Sequence, residues 1–481
     1  MGILGVEKRR TRSNSGTRAR WRPGVVVGSL GAAVAMWIAL SAQGAPASER
    51  SKAEGGGSLR VPVVFVPGVT GVELRELGSG KILWGKGSNL IFPRDHGYGI
   101  ARAIEVGPSR SRVVAGDVIR RLRLAGVVRK PVYQPLVELL EARGYRTGEL
   151  ADPRPGDTLF LYGYDWRQSN VESAHQLLEL LERVRVSRGE ERLPVILVCQ
   201  SNGAHLCRYL TRYGNTSLEE AAAGRGAMPS TLDIQKVVLM GASNGGSLRI
   251  LRELNRGRKY VPWLGRRWAP EAFFGYESLY QDLPAYTEDL FVDVEGGPVG
   301  VDLYDVASWM KYQWSVFAPS VESRLAQNRH PDLFGDASAR EAFLERALRN
   351  AELMQKVLRE DSGGTAADRY YLIQNDFNAT PARAALVEKQ GGWSTYFLGD
   401  EALDRFPQLA GRLEAAGDGH ATLKSQRWLS ETERRLLSPE VMNVQGSHFE
   451  MIHNPEAQRY LVEILADQGP GGLAPEVEGS K

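Results

Sequence analysis

One serine in this chain is set up for chemistry. The segment Leu197-Val198-Cys199-Gln200-Ser201-Asn202-Gly203-Ala204 closes a short apolar run and opens a helical one that continues to Tyr213. A serine on so tight a strand-to-helix turn has its hydroxyl exposed beside the free N–H groups of the helix start, where negative charge can develop. That is a setting for nucleophilic attack on an acyl carbon. The usual pattern is Gly-x-Ser-x-Gly, whose small residues flank a strained turn; Gly203 is present and Cys199 takes the first place. Such a serine needs a base at neutral pH, and the base needs a carboxylate to orient it. On a doubly wound sheet these follow in the order serine, acid, histidine.

Of the seven histidines, only His420, His448 and His453 lie far enough along the chain. His448 has the better setting, on the loop Gln445-Gly446-Ser447-His448 ahead of a helix that Asn454 caps and Pro455 starts. His453 reads as a helix-entry residue and His420 as a loop residue. His205, one turn into the serine's own helix, reads as packed or solvated. Asp418, between Gly417 and Gly419, is the preferred acid; Asp376, Asp400 and Asp404 are rivals that could instead be turn residues. An oxyanion hole would take one N–H from Asn202. It would take the second from Val69, in the loop Val66-Pro67-Gly68-Val69-Thr70-Gly71.

The elements that must hold these residues alternate. Val61–Val66, Thr158–Tyr162, Val195–Val198, Val237–Met240 and Tyr370–Ile373 are short apolar runs of the kind buried on both faces of a sheet. Between them, Val132–Arg143 has helical spacing and stops at Gly144, and Val171, Ala174, Leu177, Leu178, Leu181 and Val184 line one helical face. The alternation predicts a doubly wound α/β domain over residues 59–468, with a mostly parallel sheet. Around 255–360 a cap or lid is inserted. Trp263 to Phe317 carries 13 aromatic residues in 55, enough for a cap with its own core, for a lid over acyl chains, or for both.

The formal charge of +3 is unevenly spread. Residues 1–48 carry seven basic residues against Glu7, which leaves the remainder at −3. A mildly acidic body has no electrostatic footprint for nucleic acid. The uncharged, mostly apolar stretch within Pro23–Ala47 follows a basic start and ends in small residues, as a secretory signal or an uncleaved N-terminal membrane anchor would. Residues 49–58 form a glycine-rich linker, and 469–481 a tail expected to be disordered. Cys199 and Cys207, eight apart, read as buried small hydrophobes rather than a disulfide, and no Cys/His cluster has zinc spacing. No metal or organic cofactor is called for.

The order of further motifs is specific. Val63-Val64-Phe65-Val66-Pro67-Gly68-Val69-Thr70-Gly71-Val72-Glu73-Leu74, then Tyr164-Asp165-Trp166-Arg167, the serine turn, and Val237 through Leu248 resemble the lecithin:cholesterol acyltransferase family. So do Gly417-Asp418-Gly419 and the segment from His448 to Pro455, and the likeness runs over roughly residues 60–465. The resemblance implies an α/β-hydrolase fold, a Ser201–Asp418–His448 triad, and oxyanion donors at Asn202 and Val69. It further implies acyl transfer from a lipid ester, such as a phospholipid at a membrane surface, through an acyl-serine to an alcohol or to water. Trp84 stands where relatives have a lid tryptophan that meets substrate. The chain departs from the pattern at Cys199 and Asn202. At His420 relatives read Gly-Asp-Gly-Thr, and the cysteine pair that closes the lid of animal members is missing. Alternatives are a secreted esterase for non-lipid esters and a catalytically silent hydrolase fold that binds a ligand.

Overall fold

Five short segments, rich in β-branched, leucine or aromatic side chains and mostly buried, form the centre of one sheet, and a two-residue strand closes each edge. The computed structural model describes residues 60–466, apart from 105–111, 125–127, 227, 262, 328–329 and 362–364. The leader, the linker and the tail expected from the sequence lie outside the described residues. Among the described residues, no helix is long and apolar enough to cross a membrane.

The strands are β1 (Val63–Val66), β2 (Thr147–Gly148), β3 (Leu159–Leu161), β4 (Leu193–Gln200), β5 (Leu232–Met240), β6 (Ala367–Gln374) and β7 (Met442–Asn443). They lie in the order β7-β6-β5-β4-β1-β3-β2, and every pairing is parallel. All four residues of β1 are fully buried, as are Val195 to Cys199 of β4. Parallel neighbours need crossovers, and the helices supply them. The main ones are α1 (Gln134–Ala142), α2 (Asn170–Arg188), α3 (Gly203–Tyr213), α4 (Leu248–Arg256), α5 (Ala337–Arg359) and α6 (Pro455–Ala466). Ser169 caps α2 by accepting from the Val171 N–H, and Gly189 at φ 65° ends it, a left-handed position that glycine takes without cost. This is an α/β-hydrolase fold.

The aromatic block turns inward. Trp268, Phe273, Phe274, Tyr276, Tyr280, Phe291, Trp309, Tyr312 and Trp314 are buried and share one core with the strands, so nine of the 13 rings serve packing. Trp263 alone stands far out, at 85% exposure.

Candidate active site

Ser201 occupies the turn between β4 and α3, with φ at 55°. A serine at positive φ is strained, and the strain is held by its surroundings. Its N–H donates to the Met240 carbonyl at the end of β5, 3.1 Å away. Gly203 lets α3 sit down on the end of β1. A Cβ there would lie 2.7 Å from the Val66 carbonyl oxygen and 2.8 Å from that of Pro67.

The structure brings Ser201, His448 and Asp418 together across 247 residues of chain. His448 Nε2 is 2.9 Å from Ser201 Oγ, and His448 Nδ1 is 2.7 Å from Asp418 Oδ2. All three are buried, Ser201 the least so at 8% exposure. Asp418 sits at the end of a short strand, Glu414–Gly417, which pairs antiparallel with Asn378–Pro381 outside the main sheet. Its Oδ1 accepts from the N–H groups of His420 (2.8 Å) and Ala421 (2.7 Å), and its carbonyl accepts from the His448 N–H at 2.9 Å. Burial by itself would raise the Asp418 carboxyl. The charge and hydrogen bond of His448 outweigh that and hold it below the usual carboxylate value. The rival acids are engaged elsewhere: Asp376 with Asn443, and Asp400 with Arg252 and Arg256. Asp404 lies exposed in a short helical turn.

The loop after β1 arches over the serine. A Cβ on Gly68 would meet Ser201 Cβ at 2.7 Å and Oγ at 3.1 Å, so only glycine allows this approach. Among the described residues, neither the Val69 N–H nor the Asn202 N–H donates to a protein acceptor. Three rings pin the loop, and two of them belong to the Tyr164-Asp165-Trp166-Arg167 motif. The Tyr164 hydroxyl donates to the Pro67 carbonyl (2.8 Å), the Trp166 indole to Val72 (3.0 Å) and the Trp84 indole to Thr70 (3.0 Å). The motif is conspicuous in the sequence, and these hydrogen bonds are its task. Trp84 is turned inward, 1% exposed and 5.3 Å from each of Trp166, Tyr260 and Trp268, so it acts on the loop rather than from an exposed lid. Asn202 exchanges side-chain hydrogen bonds with Asn170 at 2.8 and 3.1 Å.

The cysteines correct the expectation of two separate thiols. Cys199 and Cys207 are joined in a disulfide, with Cα atoms 6.6 Å apart. Eight residues along an extended chain would be too far, but α3 doubles back over β4. That carries Cys207, one turn into the helix, to the strand end that bears Cys199. The bond straps the two arms of the serine turn together.

Residues 118–263 match the lecithin:cholesterol acyltransferase family model. The matched segment holds Ser201, the Tyr164 motif and the disulfide. Among solved structures, a chain of the Tle4–Tli4 complex is similar at 14% identity, over 84% of this chain and 97% of that one, with a TM-score of 0.55. At that identity the likeness speaks for the fold. No curated protein matches the chain. The lecithin:cholesterol acyltransferase match supports an enzyme of the lipid-ester hydrolase or acyltransferase kind. Among the described residues, no group of His, Cys, Asp and Glu is arranged to hold a metal ion.

Two further histidines shape the pH response. Burial, reinforced by neighbouring His448, pushes His420 below the ordinary imidazole value against the pull of Asp282. Burial and Lys130 do the same to His453. An unfolded histidine takes its proton near pH ~6.5, and these folded ones only at lower pH. The unfolded chain therefore binds more protons in that window, and stability falls as pH drops below ~6.5. The carboxylates held low, Asp418 among them, add their own loss only below ~4. Thermal midpoints measured from pH 8 to pH 5 should decline through the histidine window, with a shallower slope in His420→Phe. An equal slope in both proteins would contradict the assignment to His420.

Proposed function

We propose that this protein is a serine-dependent acyl-ester enzyme of lipid metabolism, with Ser201 as nucleophile, His448 as general base and acid, and Asp418 as the group that orients the base. The observation that carries the reading is the unbroken hydrogen-bonded chain Ser201 Oγ–His448–Asp418 on a strained turn. Ser201 Oγ attacks the acyl carbon as its proton passes to His448 Nε2. The tetrahedral oxyanion is received by the free N–H groups of Asn202 and Val69. His448 then returns the proton to the leaving alkoxide, and the acyl-serine passes to an alcohol or to water by the same steps reversed.

A lipid substrate fits the surface around the site. Phe449, 49% exposed, stands edge-on to His448 with ring centroids 5.2 Å apart. Phe377, also exposed, belongs to a loop tied to Gly446 through Asn375 and Asn378. Further out, Phe92, Trp263 and Leu264 are exposed on segments that meet where the Arg266 N–H donates to the Ile91 carbonyl. Lys86, Arg94, Arg266 and Arg267 are exposed on the same segments. Exposed rings beside basic side chains suit the headgroup region of an anionic lipid surface. The disulfide fits an exported chain, because such bonds persist in oxidising compartments, whether the leader is cleaved or remains as an anchor.

The deciding experiment follows acyl-labelled phosphatidylcholine in vesicles, with and without a sterol or a simple long-chain alcohol, and separates the products. Free fatty acid alone assigns a phospholipase, and label in the alcohol's ester assigns an acyltransferase. Turnover of small soluble esters with no reaction on phospholipid would replace the lipid reading with a general esterase.

A further inference from the structure

Beside the reacting residues runs a second buried chain of titratable groups that ester chemistry does not consume. His205, on α3 directly after the serine turn, places Nε2 3.2 Å from Asp282 Oδ1. The other oxygen of Asp282 lies 3.9 Å from His420 Nε2. The His420 ring in turn lies nearly flat on His448, with centroids 4.5 Å apart and planes at 25°. His205 and Asp282 are essentially inaccessible, and His420 is 7% exposed.

The main chain locks the same pieces. The Ser247 N–H donates to the Asp282 carbonyl, the Ser247 hydroxyl to the His420 carbonyl, and the His420 N–H to Asp418 Oδ1. A row of neighbouring groups, hydrogen-bonded at His205–Asp282, at ion-pair distance at Asp282–His420 and stacked at His420–His448, thus runs from the helix behind the nucleophile to the face of the base. As a device for stability alone it is poor. Among the described residues, Nδ1 of His205 and Nδ1 of His420 are buried without a partner, and burying a carboxylate is costly even when paired. Incompletely satisfied polar groups of this kind collect where function requires them.

We propose that His420, stacked on the base with Asp282 at its far edge, is a positioning residue for His448. It fixes the plane of the base's ring, and Asp282 places a second negative charge behind that ring for the moment when His448 carries the proton taken from Ser201. Neither His420 nor Asp282 gains or loses a proton in the cycle. Charge fixed in advance near a developing cation is worth most where water is excluded, and these side chains are buried. The proposal rests on the reading of Ser201, His448 and Asp418 as the reacting set.

A double-mutant cycle tests it, using the full chain, a soluble short-chain ester and pH 8. Asp282→Asn should lower kcat about tenfold and leave KM within about twofold. In a His420→Phe background, where the flat ring remains but the link to Asp282 is gone, the same change should cost less than about twofold more. Losses that multiply independently, or KM rising in step with falling kcat, would mean a packing role and overturn the proposal. Should Asp282→Asn fail to fold, His420→Phe against His420→Ala decides. Alanine removes the stack and should have a kcat at least about fivefold below phenylalanine, and equal values refute the idea.

The kcat–pH profile gives an independent readout. The groups facing His420 are His448 and Asp418, Asp282 (whose other oxygen meets His205), Arg249 through its contact with the Gly419 carbonyl, and Glu253. Protonating His420 puts a second positive charge against the imidazolium, so the acid limb should be steeper in wild type than in His420→Phe. Identical limbs count against the proposal. Fluorophosphonate labelling separates the two levels of inference. Label on Ser201 with unchanged kinetics in the variants sinks only the positioning role, whereas label elsewhere sinks the reacting set and this proposal with it.

Discussion

Ser201→Ala lowers kcat on a carboxylic ester by about 10⁶-fold and abolishes labelling by a fluorophosphonate, while the protein stays folded. The fold is expected to survive because alanine keeps the one atom that packing uses. Gly68 presses on the Cβ of residue 201, and alanine has that Cβ in the same place. The lost oxygen has a single side-chain partner, His448 Nε2 at 2.9 Å. Residual activity measures what the oxyanion donors and substrate binding do unaided. Undiminished labelling of the alanine protein would move the nucleophile to another residue.

Asp418→Asn should lower kcat about 10⁴-fold with little change in KM. The geometry says why an amide of nearly equal shape fails. Oδ1 is fixed as an acceptor by two N–H groups, those of His420 and Ala421. The amide oxygen of asparagine must stay there, which turns its NH₂ toward His448 Nδ1. The imidazole then has to present a lone pair to the amide and keep its proton on Nε2, facing Ser201, where it cannot serve as base. The Asp376 carboxylate meets only the Asn443 amide among the described residues, so Asp376→Asn should change kcat less than about threefold. If Asp376→Asn is the crippling change instead, the acid has been misassigned. Steady-state kinetics on one soluble ester settle both variants.

The parts of the fold legible along the chain were those whose cause is local. β1, β4, β5 and β6 announce themselves because strands buried on both faces must be continuously apolar, and α2 because its one buried stripe repeats at helical spacing. Ser201 and Gly203 were legible for the same reason, since a strand must end and a helix begin around them. What escaped depends on chain returning to itself. Cys207 meets Cys199 only because α3 folds back over β4, which separation in sequence does not record. Tyr164 and Trp166 stand out in the sequence only as part of a motif, and Trp84 only as a lid residue; the structure shows their polar edges holding one loop. His205 and His420 read as bland individually; Asp282, which joins them, lies 77 residues from the first in sequence. The aromatic block was legible as a unit, but not that its rings face the common core.

The two glycines pressed against the serine turn also bear on inheritance. At Gly68 the obstacle to a methyl group is the nucleophile itself, and at Gly203 it is two carbonyls of the neighbouring strand end. The first cannot step aside without moving the reacting oxygen, and the second not without moving the loop that carries the Val69 N–H. At these two positions no stepping stone exists, because the smallest possible substitution already collides. Other glycines of the chain are confined by packing alone, whereas at these two the geometry of the reaction itself confines what can be inherited.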